Sequence, residues 1–83
     1  MQSTGTFTAT GQSETIAMSK GGLIAMRFAG TATVAIELLM PSGAWATVET
    51  VTADYFKVWD AEGAIVRLNC TAYTDDVEFS INA

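Results

Sequence analysis

Eighty-three residues with a net charge of −5, a single cysteine and no histidine make one domain with a thin core, because a chain this short buries only about 60% of the surface its unfolded form exposes. An intrachain disulfide is excluded by the lone Cys70, and the commonest transition-metal ligand is missing. The four cations, Lys20, Arg27, Lys57 and Arg67, are scattered singly, so neither nucleic acid nor an anionic membrane surface is an expected partner.

Half the residues are hydrophobic and 16% are charged, where soluble domains usually carry about 25% charged residues. That balance favours self-association as the way a small core is completed. No run approaches the roughly 20 apolar residues of a membrane span. The opening MQSTGTFTATGQ has neither a basic stretch nor an apolar one, so no signal peptide is expected, and the lone cysteine suits synthesis in a reducing cytoplasm.

In chain order, residues 1–12 read as an edge strand or a loosely held arm, with Thr4, Thr6, Thr8 and Thr10 alternating with Phe7 and Ala9. After a turn at Gly11-Gln12-Ser13, Glu14 to Ser19 form a second strand with Ile16 and Met18 inward. Lys20-Gly21-Gly22 breaks it. Leu23 to Ala29 form a third strand, with Ile24, Met26 and Phe28 on one face and Arg27 outward. The centre of the chain is the hairpin from Ala32 to Val51. Val34, Ile36 and Leu38 alternate with Thr33, Ala35 and Glu37; Met40-Pro41-Ser42-Gly43 reverses the chain; and a second strand carries Trp45, Val48, Thr50 and Val51.

Beyond a polar step at Thr52-Ala53-Asp54, the run Tyr55 to Trp59 is dense in strand formers, Phe56 and Val58 lying opposite Tyr55, Lys57 and Trp59. A turn at Asp60-Ala61-Glu62-Gly63 leads to Ala64–Tyr73, where Val66, Leu68, Cys70 and Ala72 share one face and Ile65, Arg67, Asn69 and Thr71 the other. After Thr74-Asp75-Asp76, Val77, Phe79 and Ile81 alternate to the C-terminus. Seven to eight short strands with turns at this spacing predict an all-β fold over residues 1–83, an antiparallel β-sandwich or jelly-roll-like barrel. The short breaks predict that most sequence neighbours pair as hairpins. The expected core is Ile24, Met26, Phe28, Val34, Ile36, Leu38, Val66, Leu68, Cys70, Phe79 and Ile81.

Catalytic chemistry finds little to work with. Cys70 has no histidine to activate it, and its mid-strand place suits a buried thiol. Asp54, Asp60 and Glu62, then Asp75, Asp76 and Glu78, cluster near turns without the D-x-D-x-D-G spacing of a calcium loop, and aspartates in turns serve backbone bonding. Lys20-Gly21-Gly22 opens no helix and is not a phosphate loop. No enzyme activity, cofactor or metal is expected. Interface candidates remain: Leu39 and Ile65 fall on the solvent side of their strands, with Leu23, Ala25, Ala35 and Ala46 as further members. Trp45 and Trp59, both beside turns, either stack on a sugar or partner subunit or cap the ends of the core.

Val34-x-Ile36-x-Leu38, then Ser42-Gly43-x-Trp45-x-x-Val48-x-x-Val51-Thr52, then Val66-Arg67-Leu68-x-x-Thr71 resemble small β-sandwich structural proteins of tailed bacteriophage virions. Those proteins carry an S-x-D-G-x-x-W-x-x-V hairpin and a later V-R-L/V strand; here Ser42 stands where an acidic residue precedes the turn glycine. The resemblance covers about Gly30 to Ile81. It implies a capsid-decoration, head-fibre or head–tail protein in the virion, synthesised in the host cytoplasm, assembled as a homotrimer and touching capsid or other virion proteins. Similar hairpins occur in carbohydrate-binding modules, so a small glycan-binding module using an exposed tryptophan is the alternative.

Overall fold

Alternating polarity becomes nine strands in the computed structural model, which describes residues 2–60 and 62–83: β1 (Gln2–Phe7), β2 (Gly11–Gln12), β3 (Ile16–Ala17), β4 (Gly22–Phe28), β5 (Ala32–Leu39), β6 (Trp45–Val51), β7 (Tyr55–Trp59), β8 (Ile65–Tyr73) and β9 (Val77–Asn82). Met1 and Ala61, the latter assigned by sequence to the turn after Trp59, lie outside the described residues. No helix occurs among the described residues. The strands form two antiparallel sheets, sheet A in the order β1-β9-β4-β7 and sheet B in the order β2-β8-β5-β6, with β3 also pairing β8.

The pairings nest. β5 pairs β6, β4 pairs β7, β8 takes both β2 and β3, and β1 pairs β9. β2 and β3 lie along the same side of β8, as one interrupted strand. At the interruption the Ser13 N–H donates to the Leu68 carbonyl and the Leu68 N–H donates to Ser13 Oγ, so a side chain completes the ladder. Counted this way, the fold is an eight-strand hairpin rolled up so that β9 also meets β4 and β8 also meets β5. That is the jelly roll, an all-β sandwich.

Most sequence neighbours do not pair as hairpins. Among the described residues only β5 and β6 do, with Leu39 opposite Trp45 at the end of their ladder and Gly43 at φ 88° in the loop. The links 29–31, 52–54 and 74–76 instead carry the chain from one sheet to the other. Packed sheets stand about 10 Å apart, and three extended residues reach about that far, so a short break fits a crossing as well as a hairpin. Two crossings brace each other: Thr31 N–H donates to Asp75 Oδ2, while Thr74 and Asp75 N–H donate to the Thr31 carbonyl.

The core lies between the sheets. Ile24, Val34, Ile36, Val66, Leu68, Cys70, Val77 and Ile81 have no solvent exposure, and Met26, Phe7, Ile16, Met18, Ala32, Val51 and Phe79 complete the buried cluster. Phe28 and Leu38, expected in the core, sit half-buried at its margin. Residues 2–7 form edge strand β1, paired along its whole length with β9. Phe7 stacks on Phe79 with ring centroids 4.7 Å apart. Gly5 makes room for the Phe79 ring, since a Cβ there would come within 3.0 Å of it.

Candidate functional site

A sandwich has two outer faces, and each collects side chains that alternation turns away from the core. On sheet A these are Thr4 and Thr6 of β1, Glu78 and Ser80 of β9, Leu23, Ala25 and Arg27 of β4, and Phe56 and Val58 of β7. The β4–β7 register sets Leu23 beside Val58 and Ala25 beside Phe56. Phe56 is 70% exposed, Val58 62% and Leu23 36%. Next to Phe56 the small side chains Ala25, Ser80 and Thr4, aligned across three strands, leave a groove of about 450 Å³. Arg27 and Glu78 pair in register at one end of it.

On sheet B the outer face is more closely fastened. Leu39 pairs with Trp45, and Leu38 pairs with Val66, which brings Leu39 alongside Ile65. Trp45, Leu39 and Ile65 therefore make one apolar row. Leu39 and Trp45 are half-buried and Ile65 is 37% exposed. The next row is polar. Arg67 Nε donates to Glu37 Oε1 at 2.7 Å, Asn69 Nδ2 donates to Glu37 Oε2 at 3.3 Å, and Arg67 Nη1 donates to Gln12 Oε1 at 3.3 Å. The guanidinium also lies 4.2 Å from the centroid of the Trp45 ring, a cation–π contact. Glu37 is only 8% exposed despite its outward place.

Trp59, the fourth sequence candidate, stands apart from these three. It packs against the core from β7. Its Nε1–H donates to the Tyr55 hydroxyl at 2.9 Å, and that hydroxyl donates to Glu49 Oε2 at 2.8 Å. The relay joins β7, the edge of sheet A, to β6, the edge of sheet B, and closes that side of the sandwich. Burial pushes the Tyr55 pKa up; the Trp59 hydrogen bond pulls it down, and the Glu49 carboxylate raises it again.

Three of the acidic candidates hold the chain's own hydrogen-bond donors. Asp54 Oδ1 accepts the Phe28 N–H at 2.8 Å, Asp75 accepts the Thr31 N–H, and Asp76 accepts the Tyr73 hydroxyl proton. Among the described residues no three acidic, cysteine or histidine side chains gather as a metal site would need. Cys70 is fully buried, its Sγ donates to the Ala72 carbonyl, and burial raises the thiol pKa. The residues that sequence reasoning passed over are Phe56 and Val58. In YFKVW, Phe56 and Val58 make one face apolar, while Tyr55 and Trp59 on either side of Lys57 make the other, and a sandwich strand turns one of its faces to solvent; that was the available signal.

No protein-family model, no curated protein and no solved structure matches this chain. Its chemistry is therefore read from the two faces alone. The two differ: one is bare and apolar, the other an apolar row beside an ion pair.

Proposed function

We propose that this chain is a non-enzymatic structural protein of a tailed-phage type of virion, a capsid-decoration or head–tail component that works through contacts with identical copies and with capsid or other virion proteins. The observation that carries this reading is the uncovered apolar cluster of Leu23, Phe56 and Val58 on the face of a sheet, since such patches mark interaction surfaces. The jelly-roll order agrees with it, because viral capsid domains use that architecture, although one fold hosts many functions. The three-fold copy number rests on the sequence resemblance. Purification of particles made in the presence of the tagged chain tests the reading. Retention at a fixed, capsid-like number of copies per particle is expected, and a chain that washes off particles at every salt concentration overturns it.

A second reading has its own observation. The Arg67 guanidinium lies over Trp45 and bonds Glu37 and Gln12, and Asn69 bonds Glu37 in turn, so an aromatic ring adjoins a network of donors and acceptors of the kind that hold sugars. Glycan-array binding abolished by Trp45→Ala would establish this module in place of the virion reading.

A further inference from the structure

We propose that a second copy of this chain docks on the outer face of sheet A, across a two-fold axis, with Phe56 and Val58 at the centre of the contact. This rests on the reading of the protein as one that acts through contacts between copies; it moves the contact away from Ile65 and Leu39 and puts a two-fold assembly in place of the three-fold one that the sequence resemblance implies.

Size is the first argument. The molecule measures 32 × 25 × 17 Å, so its broad face is of the order of the roughly 800 Å² that each partner contributes to a standard interface. Charge is the second. The chain carries −5, yet among the outward residues of β1, β9, β4 and β7 only Arg27 and Glu78 are charged, and they offset each other. A copy can therefore approach this face without the repulsion that the net charge imposes elsewhere. Shape is the third. Phe56 stands proud beside a groove floored by Ala25 and Ser80, so the aromatic of each copy has a recess in the other to enter, the arrangement of an interface anchor.

Face-on contact is also what the nearest edge allows. Lys57 alternates onto the core side of edge strand β7, between Tyr55 and Trp59, and stays exposed there. A charge placed so opposes strand addition along that edge. Symmetry follows from the layering. The apolar surfaces of sheets A and B lie back to back, so packing A of one copy on B of the next would propagate an open stack, whereas A on A closes after two.

Light scattering and equilibrium sedimentation of the full chain across the micromolar range test this. The expected mass is twice 8.8 kDa. Phe56→Asp and Val58→Asp, both at exposed positions, are expected to keep the circular dichroism of the parent and to weaken the dimer at least about 30-fold, while Ile65→Asp leaves it intact. A monomeric or trimeric parent overturns the proposal, as does a Phe56→Asp dimer of unchanged affinity. A monomer that still loads onto particles at fixed copy number overturns this contact and spares the virion reading; a dimer that never associates with particles does the reverse.

Discussion

Arg67 and Glu37 face each other across β8 and β5, with Nε 2.7 Å from the carboxylate oxygen and both side chains largely covered, at 18% and 11% exposure. The Trp45 ring lies over the same guanidinium, so one arginine holds β5, β6 and β8 together on the outer face of sheet B. Removing it leaves a nearly buried carboxylate with only the Asn69 amide for a partner among these bonds. Arg67→Ala is expected to lower stability by about 1–3 kcal/mol, read from the urea midpoint. Glu37→Gln in the same chain should recover part of the loss, because a neutral amide costs less to bury than an unpaired charge. Arg67→Lys should not restore it, since an ammonium lacks the planar fork that both bonds and stacks. Loss under 0.5 kcal/mol would show the pair to be ornamental.

Leu68 has no solvent exposure and sits mid-strand in β8, between β5 and the interrupted β2–β3 strand. Leu68→Ala is expected to cost about 2–5 kcal/mol, the range for truncating a buried leucine where neighbours relax only in part. Thermal or chemical denaturation gives the value, and a change within about 0.5 kcal/mol would take Leu68 out of the core.

Alkaline pH should loosen the side closed by Tyr55. Its folded-state pKa lies above the ordinary value of 10.0, chiefly through burial, so the protonated phenol is favoured by folding. The sign follows from that: this contribution is complete below the unfolded value near 10.0 and is lost as pH climbs through the higher folded value. Cys70 and Tyr73 are shifted the same way and add to the effect. Stability measured from pH 7 upward should begin to fall near the thiol's ordinary value of 9.0 and fall more steeply beyond the phenols' 10.0. Tyr55→Phe should make that fall shallower, while costing about 1 kcal/mol at pH 7 for the lost bonds to Trp59 and Glu49. An identical alkaline slope in the variant would remove Tyr55 from the explanation.

Period-two alternation is a property of neighbouring residues, and what depends on it was legible in the chain. Val34 and Ile36, Val66, Leu68 and Cys70, and Phe79 and Ile81 were placed inward by spacing alone and are buried. The β5–β6 hairpin followed from Pro41 and Gly43 between two strand runs. The all-β class needed nothing more, and Leu39 and Ile65 were correctly placed on the outer side of their strands.

Which strands meet, and which apolar face of a two-faced strand is covered, depend on contacts distant in sequence, and only the tertiary structure decided those. A three-residue link such as 29–31 reaches a hairpin partner or the opposite sheet equally well; the mutual bonds of Thr31 and Asp75, 44 residues apart, accompany the crossing. In β7 one alternate set is Phe56 and Val58 and the other is Tyr55 and Trp59 with Lys57 between them, so alternation alone does not select the covered face. The Trp59–Tyr55–Glu49 relay turns Tyr55 and Trp59 toward β6 and leaves Phe56 and Val58 in solvent. Glu37 reads as a solvated strand residue, and it is nearly buried because Arg67, 30 positions away, lies against it. Local spacing sets the direction of each side chain, but long-range packing sets what it meets there.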